Sequence, residues 1–147
     1  MTPYLDAGFL LTLLVKSRCN ASAHQVLHHL TAPFALNFLH QLQAENLFKT
    51  MESSPEPERQ TAGVDGRHLW QNYLAEGIFH LASTDWDTAF GFAIAWNTHV
   101  AGKPPPPLLL LHPALAAVAG ATDFLSFDPR SRAAAKSIGL RLLPERL

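Results

Sequence analysis

The chain has 147 residues, of which 48% are hydrophobic and 16% charged, a length and composition suited to one domain with its own core. A net charge of −1 excludes the strongly basic surface of a protein that binds nucleic acid by charge alone, so any attraction to RNA must come from a local patch. The single cysteine, Cys19, excludes an intramolecular disulfide and a thiolate metal cluster, and it favours a reducing, cytoplasmic location.

The first fifty residues predict two strands and three helices. A strand ends near Leu5, and a helix begins after Asp6, which stands where a helix N-cap would stand. The apolar run 8–15 is too short to cross a bilayer and has no basic region before it, so we expect neither a signal peptide nor a membrane partner. The pattern then predicts a helix over 22–30 capped by Ser22, a strand over 33–38 and a helix over 40–51.

Residues 52–66, ESSPEPERQTAGVDG, are polar and contain several prolines and glycines, which is typical of a loop or a mobile linker. A helix follows from residue 67 and ends near Gly77. Next come a strand over 78–83 and a helix over 83–100, capped by Ser83 or Thr84 and carrying Asp85 and Asp87 in its first turn.

The last third of the chain begins with GKPPPP, residues 102–107, which predicts a turn and a stiff extended run. The remaining elements are a helix over 112–121 with Pro113 in its first turn, a strand over 122–128, a helix over 129–139 ended by Gly139, and a strand over 140–144. Because strands alternate with helices along the whole chain, we expect an α/β fold with a mostly parallel sheet.

Two carboxylates stand at the ends of predicted strands, Asp6 after the first strand and Asp128 after the strand that contains Phe124. Ligands bind outside the carboxyl ends of the strands in parallel sheets, so the two acids are candidates for one metal site at one edge. Each acid is also placed to cap the helix that follows it, and Pro129 suits the first position of the second helix. A carboxylate has two oxygens, so both roles can coexist.

Four segments, in this order, are similar to one known family. They are YLDAGFLLTLLV, LHQLQAENLF, GIFHLASTDWDTAFGFAIAWNTHV and LHPALAAVAGATDFLSFDPRSRAAAKSIGLRLLP. The chain resembles the PIN domains, specifically the VapC-type ribonuclease toxins of bacterial toxin–antitoxin pairs. The last segment carries the most specific likeness, in its Leu-His-x-Ala, Gly-Ala-Thr-x-Phe-Leu and Phe-Asp-x-Arg patterns, and the resemblance covers nearly all of residues 1–147 as a single domain.

The resemblance implies a three-layer α/β/α sandwich with a parallel sheet of four or five strands. It also implies a homodimer, a small antitoxin partner, RNA as the substrate, and a cluster of three or four acids that holds Mg²⁺ or Mn²⁺. Carboxylate oxygens suit these hard cations, and a metal-bound water is easier to deprotonate than free water. On this basis the expected activity is that of an endoribonuclease.

The acids of the family carry over only in part. Asp6 matches the first acid and Asp128 matches the acid after the Phe-x-Phe strand, so both are predicted metal ligands. Gln43 stands where the family has a glutamate, and Asn46 still matches three residues later. Leu109 stands where the family has a further acid. The resemblance therefore implies a degenerate active site built on Asp6, Asp128, Gln43 and Asn46.

Two other acids are candidate replacements for the missing ones. Glu45 lies two residues from Gln43, about 200° around the helix axis at about 3.6 residues per turn, and a shifted register would be needed to use it. Asp123 lies five residues before Asp128, an odd separation that points to the opposite face of a strand. The expected protein is a pseudonuclease that binds an antitoxin, another partner or RNA without cutting. The alternative is an active Mg²⁺- or Mn²⁺-dependent endoribonuclease with a reduced set of acids.

Arg130 and Arg132 follow Asp128 and are candidate contacts for the phosphates of a substrate, with a solvated helix face as the other interpretation. His112 matches the family's structural histidine, so we expect it to be hydrogen-bonded and partly buried. Trp70, Tyr73, Trp86, Phe90 and Trp96 recur at helical spacing and are expected in the core or on a dimer surface.

Overall fold

The computed structural model describes residues 2–31, 33–99 and 106–146. Within these ranges seven helices and five strands follow one another along the chain. They are β1 (Pro3–Leu5), α1 (Ala7–Leu14), α2 (Asn20–His28), β2 (Phe34–Leu36), α3 (Phe38–Glu52), α4 (Pro57–Ala75), β3 (Phe79–Leu81), α5 (Trp86–His99), α6 (Pro107–Val118), β4 (Asp123–Leu125), α7 (Pro129–Ser137) and β5 (Arg141–Leu143).

The strands pair in parallel throughout the described residues. One sheet has three strands in the order β1-β4-β5, and the other pairs β2 with β3. In the first sheet Leu5 lies opposite Leu125, and Leu125 lies opposite Leu143, so three carboxyl ends meet at one edge. The expected α/β class with parallel strands is confirmed, and the arrangement is consistent with three α/β/α layers. The strands form two hydrogen-bonded sheets of three and two strands, where one sheet of four or five was expected.

The chain divides into two compact units. The terminal unit comprises Met1–Asp6 and Ser83–Leu147, and the central unit comprises Ala7–Ala82. The first sheet lies in the terminal unit and the second in the central unit. The interpretation as a single domain stays a prediction. No helix among the described residues combines the length and the apolar character needed to cross a bilayer.

The core of the terminal unit forms around the first sheet. Leu5, Phe124 and Leu125 are completely buried. Tyr4 stacks on Phe124 with ring centroids 6.0 Å apart, and its hydroxyl oxygen lies 3.0 Å from Nδ1 of His112 on α6. His112 is thus buried and hydrogen-bonded, as the sequence predicted. This packing fixes the strands whose ends carry Asp6 and Asp128.

The predicted loop over 52–66 is confirmed only at 53–56 and is wrong from Pro57 onward, where α4 begins and runs to Ala75. Pro57 stands at the start of the helix, where its missing N–H costs nothing. Gly63 and Gly66 are buried, and a Cβ on Gly66 would lie 2.9 Å from the carbonyl oxygen of Leu14. The glycines therefore allow close contact within the central unit and do not mark a turn.

Two predicted helix starts also differ from the structure. Ser22 does not cap α2, which begins at Asn20. Asp85 caps α5 in place of Ser83 or Thr84, because its Oδ1 accepts the backbone N–H of Thr88 at 3.0 Å. A carboxylate is as good an N-cap acceptor as a hydroxyl, and Asp85 directly precedes the helix.

The last helices differ from prediction mainly at α6. It begins at Pro107, so Pro113 lies in its interior and not in its first turn. Proline has no N–H, so the carbonyl of Leu109 cannot receive the usual bond from residue 113. The extended run predicted at 102–107 lies mostly outside the described residues. Gly77 and Gly139, with φ of 70° and 85°, end α4 and α7 as expected.

Candidate functional site

Asp6 follows directly after β1, at the carboxyl edge of the three-stranded sheet. Its backbone N–H donates to the carbonyl oxygen of Leu125 at 2.9 Å, which continues the ladder between β1 and β4. The residue is only 4% exposed. A carboxylate is therefore held at the edge where parallel sheets bind ligands, with little access to water.

Asp128 is the N-cap of α7, and Pro129 stands at the first position of this helix. Oδ1 of Asp128 accepts the backbone N–H groups of Arg130 at 2.8 Å and Ser131 at 3.3 Å. Burial raises the pKa of Asp128, but the hydrogen bonds from Arg130 and Ser131 and the charge of Arg130 outweigh it, and the net pKa lies below the usual range. The predicted cap is confirmed, and the group is held as an anion.

Ser126 follows directly after β4 and forms hydrogen bonds to Asp128 on one side and to Leu143 of β5 on the other. Its hydroxyl oxygen accepts the backbone N–H of Asp128 at 3.0 Å, and its own N–H donates to the carbonyl of Leu143 at 3.1 Å. These bonds turn the chain away from β4, which ends at Leu125 and not at residue 128 as predicted. Ser126 was not singled out in the sequence. Its position two residues before a helix-capping aspartate was the available signal.

Arg132 is buried and holds two strand ends together. Its Nη1 donates to the carbonyl oxygen of Ser126 at 2.9 Å, and its Nη2 donates to the carbonyl oxygen of Pro144 at 2.7 Å. Burial lowers the pKa of Arg132, and the negative charge of Asp6 opposes that shift. The guanidinium thus lies within electrostatic reach of Asp6, and it is not on the solvated helix face that the sequence allowed as an alternative.

Arg130 is the solvent-facing member of the pair of arginines, with 64% of its side chain exposed. Its Nη2 lies 3.2 Å from Oδ2 of Asp128, and its Nε lies 3.4 Å from Oδ1. Arg130 therefore pairs with the predicted ligand Asp128. A role for Arg130 or Arg132 in binding a substrate phosphate stays a prediction.

The two replacement acids have partners of their own. Asp123 is buried and forms an ion pair with Arg141, and its Oδ2 also accepts the hydroxyl of Thr122 at 2.7 Å. Glu45 pairs with Arg67 of α4 within the central unit. Both carboxylates neutralise an arginine inside their own unit, which gives each of them a structural role.

Arg67 also binds Glu52, with its Nε 2.7 Å from Oε1, and lies 5.1 Å above the ring of Phe48. The guanidinium therefore ties α4 to two carboxylates and an aromatic ring of α3. The pKa of Glu52 is lowered chiefly by the hydrogen bond from Arg67, and the pKa of Arg67 is raised by the same contacts.

Gln43 and Asn46 lie on α3 in the central unit. Gln43 is half-buried, whereas Asn46 is exposed and its carbonyl oxygen accepts the hydroxyl of Thr50 at 2.7 Å. Leu109 is half-buried in the first turn of α6. The part that Gln43 and Asn46 would take in a site stays a prediction.

Ser131 has a feature that the sequence did not indicate. Its hydroxyl oxygen is buried, and it is the buried side-chain atom within the described ranges for which no hydrogen-bond partner is found. The residue is 1% exposed and belongs to the first turn of α7, beside Asp128 and Arg132. A buried hydroxyl without a hydrogen-bond partner costs free energy, because it gives up its bonds to water on folding.

The terminal unit offers a divalent cation few ligands. Asp128 is paired with Arg130, and the charge of Asp6 acts on Arg132. Carboxylate oxygens are the ligands that such a cation prefers, and several are usually needed. Within residues 2–31, 33–99 and 106–146, no three or more His, Cys, Asp or Glu side chains gather as a ligand group.

No protein-family model matches the chain, and no curated protein matches it significantly. The likeness to PIN domains and VapC toxins therefore stays a prediction from the sequence.

Proposed function

We propose that this chain is a PIN-type protein of the VapC toxin class with a degenerate site, which binds a partner without cutting RNA through a metal ion. The observation that carries the proposal is the small number of possible ligands: among the described residues, no group of three or more His, Cys, Asp or Glu side chains could hold a metal ion. Of the two retained acids, Asp128 also contacts Arg130. A divalent cation is usually held by several oxygen ligands.

An exposed apolar helix supports the partner role. Phe90, Phe92 and Ile94 of α5 are 49%, 45% and 66% exposed, and Asp87 is the one charged side chain in the helix. A helix that is apolar over most of its surface is usually covered by protein. A cavity of about 230 Å³ lined by Phe92, Ala95, Trp96 and Ile138 lies beside these side chains.

A second copy of the chain is the partner that this surface fits best. In a two-fold dimer the same surface is present twice, so the protruding Phe90 and Ile94 of one copy can pack on the apolar cavity of the other. The proposed assembly is therefore a homodimer through α5. A small antitoxin protein and RNA remain the further partners that the family resemblance implies.

The first test is an RNA cleavage assay with the purified protein and Mg²⁺ or Mn²⁺, run beside the variant Asp6→Asn. We expect no cleavage above background in either protein. Cleavage by the wild type that disappears in Asp6→Asn would refute the proposal. Equal cleavage by both proteins would indicate a contaminating ribonuclease. Both proteins are then purified further and assayed again, and the result is read in the same way.

The second candidate function is the active Mg²⁺- or Mn²⁺-dependent endoribonuclease. It is favoured by the retention of Asp6 directly after β1 and of Asp128 three residues after β4, since β1 and β4 are neighbouring parallel strands. That arrangement is the one that places two acids at a single sheet edge. The cleavage assay separates the two candidates directly.

Assembly is tested by sedimentation of the wild type and Ile94→Glu. We expect a dimer for the wild type and a monomer for Ile94→Glu, because a buried charge in an apolar interface is costly. Lys136→Glu on the exposed surface of α7 is the matched control and should stay dimeric. A monomeric wild type, or loss of the dimer in the control alone, would contradict the assignment of α5.

A further inference from the structure

We infer that His24 and His28 of α2 form a two-histidine site for Zn²⁺ or a related divalent ion of the first transition row, with water at the remaining coordination positions. Both residues lie within the helix Asn20–His28, four positions apart. The inference goes beyond the proposed function and does not depend on it, because α2 belongs to the central unit whereas Asp6 and Asp128 belong to the terminal unit.

The spacing places the two imidazoles on one side of the helix. Residues four apart are separated by about 40° around the axis and about 6 Å along it, and their Cβ atoms lie about 5–6 Å apart. Across that distance two imidazole nitrogens can reach one zinc ion at the usual Zn–N length of about 2.0–2.1 Å. The same spacing supplies two zinc ligands in the helical motif of metalloproteases. His24 and His28 are therefore placed to chelate one ion.

The imidazoles of His24 and His28 are also available to a ligand. His28 is exposed and His24 is half-buried. Among the residues that the structure describes, neither imidazole takes part in a hydrogen bond or an ion pair. A metal ion needs an unprotonated ring nitrogen, and at these two side chains it has only water to displace.

The end of α2 favours a cation of this kind. His28 is the last residue of the helix, where the carbonyl groups of the last turn carry the partial negative charge of the helix dipole. The helix contains no lysine or arginine, so no fixed positive charge on α2 opposes the ion. Imidazole suits Zn²⁺, Ni²⁺ and Cu²⁺, whereas Mg²⁺ prefers oxygen ligands. The site should therefore select zinc over magnesium.

His29, the C-cap of α2, is the matched comparison. Its ring lies nearly parallel to that of His28, with an interplanar angle of 13° and centroids 6.1 Å apart. It stands five positions after His24, which is about 140° around the axis at about 3.6 residues per turn, so it faces away from His24. His29 thus has the same chemistry at the same end of the helix without the chelating spacing to His24.

The experiment is a calorimetric Zn²⁺ titration of the untagged protein and of the variants His24→Gln, His28→Gln and His29→Gln. We expect the wild type to bind one zinc ion at this site. His24→Gln and His28→Gln should each bind zinc at least about tenfold more weakly, because a single imidazole loses the advantage of two linked ligands. His29→Gln should bind zinc as the wild type does, and an excess of Mg²⁺ should not displace the zinc.

Three results would overturn the inference. They are the absence of zinc binding by the wild type, an affinity that survives His24→Gln or His28→Gln, and a loss in His29→Gln as large as that in His24→Gln. Cys19→Ser removes the only thiol of the chain and should leave the affinity unchanged, and a loss there would assign the ion to the thiolate instead. Circular dichroism confirms that each variant is folded, and alanine is the second substitution should a glutamine variant fail to fold.

The double variant Asp6→Asn/Asp128→Asn separates this site from the carboxyl edge of the three-stranded sheet. It should bind zinc as the wild type does, and a tenfold loss in it would overturn the assignment to α2. RNA cleavage by the wild type would refute the proposed function and leave the histidine site unaffected. An inactive wild type that binds no zinc would overturn only the histidine site.

Discussion

The buried guanidinium of Arg132 donates a 2.9 Å hydrogen bond to the carbonyl oxygen of Ser126, at the point where β4 turns into the loop before α7. The same guanidinium bonds the carbonyl of Pro144 after β5, so one side chain joins the ends of two neighbouring strands. The negative charge of Asp6 acts on it as well. Arg132 is thus an element of the fold as much as a neighbour of the candidate site.

Arg132→Met should therefore destabilise the protein strongly. We expect a loss of about 3–5 kcal/mol in the free energy of unfolding, because the carbonyl oxygens of Ser126 and Pro144 lose the charged donor that bonds them both. Urea denaturation followed by tryptophan fluorescence measures the loss. Asp6→Asn should cost less stability in the Arg132→Met background than in the wild type, since the attraction between Asp6 and Arg132 is already lost there. Strictly additive losses in the double variant would show that the two side chains do not interact.

Asp128 should stabilise α7 as its N-cap. Asp128→Ala is expected to lower the free energy of unfolding by about 1 kcal/mol at pH 7, and Asp128→Ser should lose much less because a serine hydroxyl caps equally well. The measurement is thermal or urea denaturation of the three proteins under identical buffer conditions. Similar losses for the alanine and serine variants would contradict the capping role.

The contribution of Asp128 should also depend on pH. Its pKa is lowered in the folded protein, so the folded state favours the ionised form over the unfolded state, whose pKa is about 3.9. This stabilisation is complete well above the unfolded pKa and is lost as the pH falls through the lower folded pKa. The stability difference between the wild type and Asp128→Ala should therefore shrink between pH 5 and pH 2, as measured by urea denaturation. A constant difference across that range would count against the assigned pKa direction.

Gly66 should tolerate no side chain. A Cβ there would lie 2.9 Å from the Leu14 carbonyl oxygen and 3.1 Å from the ring of Phe48, so Gly66→Ala should cost about 1–3 kcal/mol despite the better helix propensity of alanine. Gly91→Ala on α5 is the matched control, because nothing lies within 4 Å of its added Cβ. That change should stabilise the protein by up to about 1 kcal/mol. A destabilising Gly91→Ala combined with a neutral Gly66→Ala would reverse the expected order and contradict the described packing.

Ser131→Ala should raise stability. The buried hydroxyl is found without a hydrogen-bond partner, so its removal should gain about 1 kcal/mol in the free energy of unfolding. Ser137→Ala is a control on the same helix, where the hydroxyl bonds the carbonyl of Ala134 at 2.8 Å in an exposed position. The control should stay within about 0.5 kcal/mol of the wild type. A clear loss in Ser131→Ala would mean that the hydroxyl has a bonding partner in solution.

The sequence predicted most elements because their signals are local. The apolar strand around Phe124 and the glycine after α7 at residue 139 each determine structure within a few residues. The helix over 57–66 was missed because its glycines have a tertiary reason, the close approach of Met51 and Leu14, which no local pattern reveals. The interior position of Pro113 was missed for a related reason, since burial of α6 outweighs the bond that proline removes.

The candidate site was predictable only in part. The sequence predicted Asp6 and Asp128 at one sheet edge, because each follows an apolar strand and alternating strands and helices indicate a parallel sheet. The parallel pairing of β1 with β4 agrees with that prediction. The roles of Arg132 and Glu45 were not predictable, because each depends on partners that the sequence does not bring next to it. Arg132 bonds the carbonyls of Ser126 and Pro144, and Glu45 bonds Arg67 on another helix. An ion pair between distant residues leaves no periodic signal in a single sequence.

The register that places Pro3 opposite Asp123 has a consequence for synthesis on the ribosome. The strand β1 is made before the central unit, and its neighbour β4 is made after it. The central unit, Ala7–Ala82, contains both strands of its own sheet and can pair them earlier. A nascent chain is therefore expected to hold β1 without this neighbour until β4 emerges, and a chain shortened before Asp123 would expose that strand to aggregation.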